Sequence, residues 1–408
     1  MNSTALKPQL RRIEIIDAFR GFALAGIVFV HFTEQFLAAP APEGAMDAVV
    51  QGPLDQAIDI FINLFLRGKF FALFSLLFGL GFFIQMDRAA HRGVDFRLRF
   101  VWRLLILMII GYLHHMFYRG DILTIYAALG LALVFFHKVP GKWLMVIITL
   151  IFLGIPRIII FWINGSENLF SAIEFLPDSP QLMVYFTTLT SGSLWSVFES
   201  NATEGMLMKA DFQLGVFSRG YLTFAFFLAG LMLGRMRFFE NTIRYTKQLK
   251  KAMKWSGAGL LIVVAVSTIL FFTFDASGIT GLDSWLVMIG LTLYDLLNLS
   301  LTVIVLCLFI LTFQKIRGAR FFSHFIPYGR TALTNYVLQS VVGTAIFYGW
   351  GLGLLGEIRN VYTFSIAFGF IVLQIIVSKW WLSKFRYGPL EWIWRMLTYG
   401  RFFPAKKE

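Results

Sequence analysis

"DAFRGFALAGIVFVHF", residues 17–32, is an apolar run that opens on Asp17, reaches Arg20 three residues later and ends beside His31. Its meaning depends on how many comparable runs surround it. Of 408 residues, 58% are hydrophobic and only 14% charged, and the mean hydropathy is +0.71. That leaves too little polar surface to cover a water-soluble globule of this length. A bilayer span needs about 20 mostly apolar residues, and ten segments meet that need: 17–38, 57–86, 98–118, 121–137, 142–163, 213–235, 253–274, 284–313, 331–354 and 361–382. The chain is therefore expected to be all-α, a polytopic transmembrane bundle of about ten spans.

Its positive charge is placed in alternate connections. Arg11 and Arg12, the set Arg88 to Arg99, Lys138 and Lys142, the stretch Arg235–Lys254, the stretch Lys315–Arg330 and the tail from Lys379 carry most of the Lys and Arg. By the positive-inside rule these connections and both termini are cytoplasmic, in a multi-pass protein of the plasma (inner) membrane. Four parts follow: a cytoplasmic segment 1–16, a transmembrane core 17–235 with an external loop 164–212, a second transmembrane region 236–385, and an interfacial tail 386–408. The tail's "LEWIWRMLTYGRFF" mixes Trp and Tyr with Arg395 and Arg401, as suits a short helix lying in the inner interface.

Several classes drop out. The net charge of +13 is explained by topology, so no nucleic-acid partner is inferred; membrane lipids are the expected surroundings. Cys307 stands alone within an apolar span, which excludes an intrachain disulfide and any cysteine metal site. No zinc spacing, phosphate-binding loop or nucleophile elbow is present, and no metal is expected. The first span has a basic flank and is too long for a signal-peptide core. Asn201-Ala-Thr203 matches a glycosylation sequon, read as a chance match. A homo-oligomer is left open.

The opening run enters from the basic side. Eleven residues at about 100° each bring Arg20 and His31 onto one helix face, about 16 Å apart. Asp17, one turn before Arg20, can hold its guanidinium. Other spans add cations away from the inner loops: Arg67 and Lys69 in the second, Arg119 beside His114, His115 and Asp121 at the outer end of the third, Arg157 in the fifth and Arg219 in the sixth. Ionisable groups in a membrane are costly and face a bundle interior or a wet cavity. These residues are expected to form a polar cavity in the outer half that suits an anionic ligand. Gly21 and Gly26 should let neighbouring helices approach.

Four stretches carry a resemblance: "DAFRGFALAGI" (17–27), "GKFFALFSLLFGLGF" (68–82), "RGDILTIYAALG" (119–130), and "GRTALTNYVLQS" (329–340) taken with "GPLEWIWR" (388–395). The chain resembles the YeiB family, carrying the domain of unknown function 418, over nearly its full length. That family is grouped with transmembrane acyltransferases, among them acyltransferase family 3 and the lysosomal heparan glucosaminide acetyltransferase. Those relatives carry Arg-x10-His or Arg-x10-Asn on the first span; Arg20 and His31 match the histidine form, while YeiB-type members often have Asn.

The resemblance implies transfer of an acyl group from a cytoplasmic acyl-CoA donor to an extracytoplasmic acceptor (an envelope sugar, lipid or small molecule). Arg20 would bind donor phosphates and Asp17 fix its rotamer. His31 would act as general base, or as an acylated intermediate. Arg67, Lys69 and Arg119 would stabilise the oxyanion or bind the acceptor, within the wider polar set that includes His114, His115, Asp121 and Arg219. Two other readings stay open. The cavity could serve a transporter of an anionic solute or lipid headgroup, with Gly68 breaking the second span, or the protein could be structural.

Overall fold

The computed structural model describes residues 13–173, 179–277 and 281–407; the basic pair Arg11 and Arg12 lies outside them. Regular structure among these residues is helical, apart from one isolated bridge between Phe385 and Lys406. In chain order the helices are α1 (Glu14–Thr33), α2 (Pro53–Phe61), α3 (Lys69–Ala90), α4 (Arg97–Phe117), α5 (Leu123–Phe135), α6 (Gly141–Phe152), α7 (Ile155–Asn164), α8 (Pro180–Ser191), α9 (Leu194–Ala202), α10 (Glu204–Leu214), α11 (Arg219–Arg235), α12 (Thr246–Ser277), α13 (Trp285–Phe313), α14 (Ile316–Phe322), α15 (Phe325–Arg330), α16 (Ala332–Phe347), α17 (Asn360–Lys384) and α18 (Pro389–Tyr399).

Six helical stretches are long and apolar enough to cross a membrane unaided: α1, α2 with α3, α4, α12, α13 and α17. Two bent pairs, α6–α7 at 52° and α10–α11 at 59°, raise the number to eight. The remaining two expected segments correspond to shorter apolar helices, Leu123–Lys138 and Ala332–Phe347. Each of the ten segments thus has a helical counterpart, but only six are long enough alone. Apolar composition marks membrane depth without showing whether one straight helix fills it.

The first helix is the hub. In α1, 78% of the apolar window is buried, against 6% in α12. On α12, Leu261 is 72% and Ile269 68% exposed, a surface that suits lipid rather than water. α1 packs on α3, α15, α16 and α17. Small residues set the closest approaches. A Cβ on Gly21 would lie 2.3 Å from the Phe325 carbonyl oxygen, and one on Gly329 would lie 2.0 Å from that of Asp17. The α3–α11 contact uses the same device at Gly79 and Gly230. At Gly26 the space is filled by the Phe70 ring.

The expected loop 164–212 is largely helical. α8, α9 and α10 fold over the end of the bundle where α1 finishes, and α9 packs on α4. Asn201 is fully buried there. Its amide donates to Met116 O (3.0 Å) and accepts from Tyr185 Oη (2.8 Å), so the sequon is a structural position. Arg157 of α7 meets Asp295 of α13 at 2.5 Å and donates to Val216 O, Phe217 O and Thr292 Oγ1. That buried pair ties the α10–α11 bend to two other helices.

Candidate functional site

The site begins with a broken helix. α2 runs into a π-turn, Ile62–Leu66, and the chain then kinks at Arg67 (ψ 128°) and Gly68 (φ +83°) before α3 starts. The left-handed backbone at Gly68 favours glycine, and a Cβ there would lie 2.6 Å from Asn298 Oδ1. The break turns Arg67 towards Glu34, with Nε 2.8 Å from Oε1. Lys69 goes elsewhere. Fully buried, it donates to Asn63 O at 2.9 Å and so satisfies a carbonyl near the break. It holds the kink and does not line the cavity described next.

A cavity of about 670 Å³ lies at the end of the bundle where α1 finishes, within the range of small-molecule sites. Its wall includes His31 and Glu34 from α1 and its C-terminal turn, Arg67 from the break, Arg119 and Asp121 from the α4–α5 connection, Lys209 from α10 and Arg219 from α11. Phe70, Phe71 and Tyr126 add apolar surface.

Behind the wall is a buried polar network. His114 Nδ1 lies 2.7 Å from Asp121 Oδ1. Asp121 accepts from the backbone N–H groups of Leu123 (3.0 Å) and Thr124 (2.9 Å), so it also caps the start of α5. Lys209 Nζ reaches Asp121 Oδ2 (3.3 Å), Thr124 Oγ1 (2.6 Å) and His115 Nδ1 (3.3 Å). His115 Nε2 lies 2.8 Å from Asn201 O. A carbonyl only accepts and an ammonium only donates, so His115 carries its proton on Nε2 and offers a lone pair at Nδ1. His115 is neutral here, and it braces Lys209. His114 and His115 therefore support the wall and do not line it.

His31 does line it. Its ring packs against Phe36, Tyr118 and Tyr336, and Nδ1 sits 3.3 Å from Gln339 Nε2, with the Gln339 Oε1 buried and unpartnered. Immediately after α1, Gln35, Phe36 and Ala38 all adopt positive φ, a backbone region that costs non-glycine residues free energy. The Gln35 side chain holds this turn by donating to Ile358 O and accepting from Gly356 N, both at 2.7 Å. The turn aims the Ala38 carbonyl at Arg119, which donates to it through Nη2. Arg119 also contacts Met208 Sδ at 3.0 Å and lies 5.2 Å from the Tyr185 ring. Arg219 stacks 3.6 Å from the centre of the Phe71 ring. Among the described residues, neither arginine forms an ion pair.

Asp17 and Arg20 occupy the other end of α1, 3.4 Å apart, and neither borders the cavity. The continuous polar line expected along α1 is interrupted. Leu24 and Ile27, four and seven residues after Arg20, share its face and are almost fully buried. Spacing correctly aligns Arg20 with His31, but apolar packing separates them.

Two residues of the site, Glu34 and Gln339, escaped the sequence reading, and a third, Lys209, stood out only as a cation away from the inner loops. Glu34 ends an apolar run and looks interfacial. Gln339 lies in a helix with no charge to mark it. Lys209 left a usable signal, as the one Lys or Arg within an otherwise acidic loop. Among the described residues, no three His, Cys, Asp or Glu side chains are grouped as a metal would require.

Residues 233–401 match the family model described as "Protein of unknown function (DUF418)". The chain is 30% identical over 426 aligned positions to the uncharacterized protein YxaH of Bacillus subtilis (strain 168), covering 99% of both chains. It is 27% identical to the uncharacterized protein YeiB of Escherichia coli (strain K12), covering 97% of this chain and 98% of that one. An uncharacterized 39.9 kDa protein of Bacillus acidopullulyticus is also 27% identical, with 97% of each chain covered.

Proposed function

We propose, for a chain that belongs to the DUF418 family, that it transfers an acyl group from a CoA-type donor to an anionic acceptor held in the α1-terminal cavity. The observation that carries this reading is His31. It is the one imidazole in a largely apolar wall whose charged groups are Arg67, Arg119, Lys209 and Arg219 with Glu34, Asp59 and Asp121, and its far nitrogen is held by Gln339.

The chemistry needs a base at Nε2. If the Gln339 amide presents its carbonyl, Nδ1 donates to it and Nε2 carries the lone pair; if it presents its NH2, Nε2 carries the proton. With the carbonyl presented, Nδ1 keeps its proton throughout, while Nε2 takes a proton as general base and returns it as general acid. Nε2 would take the proton of an acceptor hydroxyl or amine as that atom attacks the thioester carbonyl. Collapse of the tetrahedral centre would break the C–S bond, and the thiolate would leave with the proton. Arg119 and Arg219, free of ion pairs among the described residues, would hold the acceptor's negative charge or the oxyanion. On this reading Arg20 remains the donor residue at the cytoplasmic end, and the acyl arm has to pass Leu24 and Ile27.

A transporter reading has one specific support: two interrupted helices, at Gly68 and at the α10–α11 bend, both contribute to the cavity wall. The test compares acylated envelope glycans and lipids between a deletion strain and strains complemented with the native protein or His31→Asn. Loss of one modification with His31→Asn, at equal protein level, supports transfer. An unchanged acylation profile in the deletion strain itself removes it and leaves transport.

A further inference from the structure

A second set of cations gathers at the opposite end of the bundle, where the C-terminal helix docks. α18 is fastened to α4 by Trp394 Nε1, which donates to Arg103 O (2.9 Å), and by Trp102 Nε1, which donates to Leu397 O (3.1 Å). Across this junction the guanidinium groups of Arg99 and Arg395 lie 5.4 and 5.3 Å from the centre of the same Tyr399 ring. Arg103, one turn after Arg99 on α4, stacks 3.6 Å over Trp394. Arg395 also lies 4.6 Å from the Phe403 ring, and its Nε is buried with no hydrogen-bond partner.

Among the described residues none of these three arginines forms an ion pair, and Arg103 lies within electrostatic reach of Arg395 and of Arg20. Converging like charges repel, and among the described residues no carboxylate pairs with them. Aromatic faces fix the planes of Arg103 and Arg395 and leave their N–H edges for a ligand. Forked donors of this kind match phosphate oxygens, and basic pockets at the ends of membrane helices bind phosphorylated headgroups.

We propose that Arg99, Arg103 and Arg395 form a binding site for a phosphate-bearing ligand at the α4–α18 junction. Its source is an anionic phospholipid headgroup or a soluble phosphate ester, the shared chemistry being the phosphate. The site requires no reaction, so it stands independently of acyl transfer.

The test uses the full chain in nanodiscs. One arm grades phosphatidylglycerol into phosphatidylcholine and counts retained anionic lipid by native mass spectrometry. The other titrates coenzyme A by calorimetry into phosphatidylcholine discs. Arg103→Gln with Arg395→Gln is expected to weaken binding about tenfold or more in one arm, since hydrogen bonds to charged groups are among the stronger kind; that arm identifies the source. Arg395→Lys should recover only part, keeping the charge without the fork. If the double variant does not fold, Arg99→Gln, at an exposed position, should still weaken binding several-fold. Absence of binding to the native protein in both arms overturns the site, as does native-like binding by the folded variants.

Discussion

At the residue scale the reading rests on His31, and one substitution separates its roles. His31→Asn keeps a polar side chain beside Gln339 but removes a base that works at neutral pH. Transfer should fall by about 10²–10⁴-fold with assembly intact, the usual contribution of a positioned base. Acylation at the native rate would make His31 a packing residue. Gln339→Leu should lower turnover and leave acceptor affinity nearly unchanged, because Gln339 touches the imidazole and not the cavity; a rise in KM alone would count against a positioning role. Charge placement was legible at this scale: His31, Arg67, Arg119 and Arg219 all reach the cavity. Lys69 did not follow, because a cation near a helix break has carbonyls to satisfy. Glu34 and Gln339 were hidden, because a residue's partner across the bundle leaves no mark on its own sequence.

At the element scale, breaks and bends carry the site. Gly68→Ala should destabilise the protein by about 1–3 kcal/mol through its left-handed backbone alone, with more added by the clash on Asn298. Adding Asn298→Ala should relieve the clash but not the backbone cost. Thermal unfolding in detergent measures both, and full rescue by the second change would show that strain at φ +83° is negligible. The Arg157–Asp295 pair makes a stronger claim. Asp295→Ala leaves a buried guanidinium with two carbonyls and a hydroxyl, a change that typically costs about 3–5 kcal/mol. Replacing both partners by apolar residues should cost far less, and equal losses in the single and double variants would place the energy elsewhere. Breaks of this kind are only partly written in sequence. Gly154 and Pro156 announce the α6–α7 bend, whereas nothing in "INLFL" (62–66) announces a π-turn.

For the whole molecule, the stretches behind the family resemblance turn out to be places where distant parts meet. Glu391 of "GPLEWIWR" accepts from Leu333 N (2.7 Å) and Thr334 N (3.2 Å), and from Thr334 Oγ1 (2.6 Å), within "GRTALTNYVLQS". The tail thereby caps α16, the helix that brings Gln339 to His31. A motif read as a string was in fact a contact, which no single sequence displays. Orientation remains the prediction with the widest reach, because donor, cavity and phosphate site all take their compartments from it. Basic residues crowd the end of the bundle holding Arg20, Arg99 and Lys315–Arg330, and the acidic loop folds over the other. Ser193, capping α9, and Ser323, between α14 and α15, are both exposed at these two ends. Cys307 is buried within α13, so an introduced cysteine can be read against a quiet background. A membrane-impermeant maleimide applied to intact cells should label Ser193→Cys and spare Ser323→Cys until the membrane is opened. The reverse pattern would put the cavity on the cytoplasmic side, where a soluble thioester could reach His31 directly without passing Leu24 and Ile27.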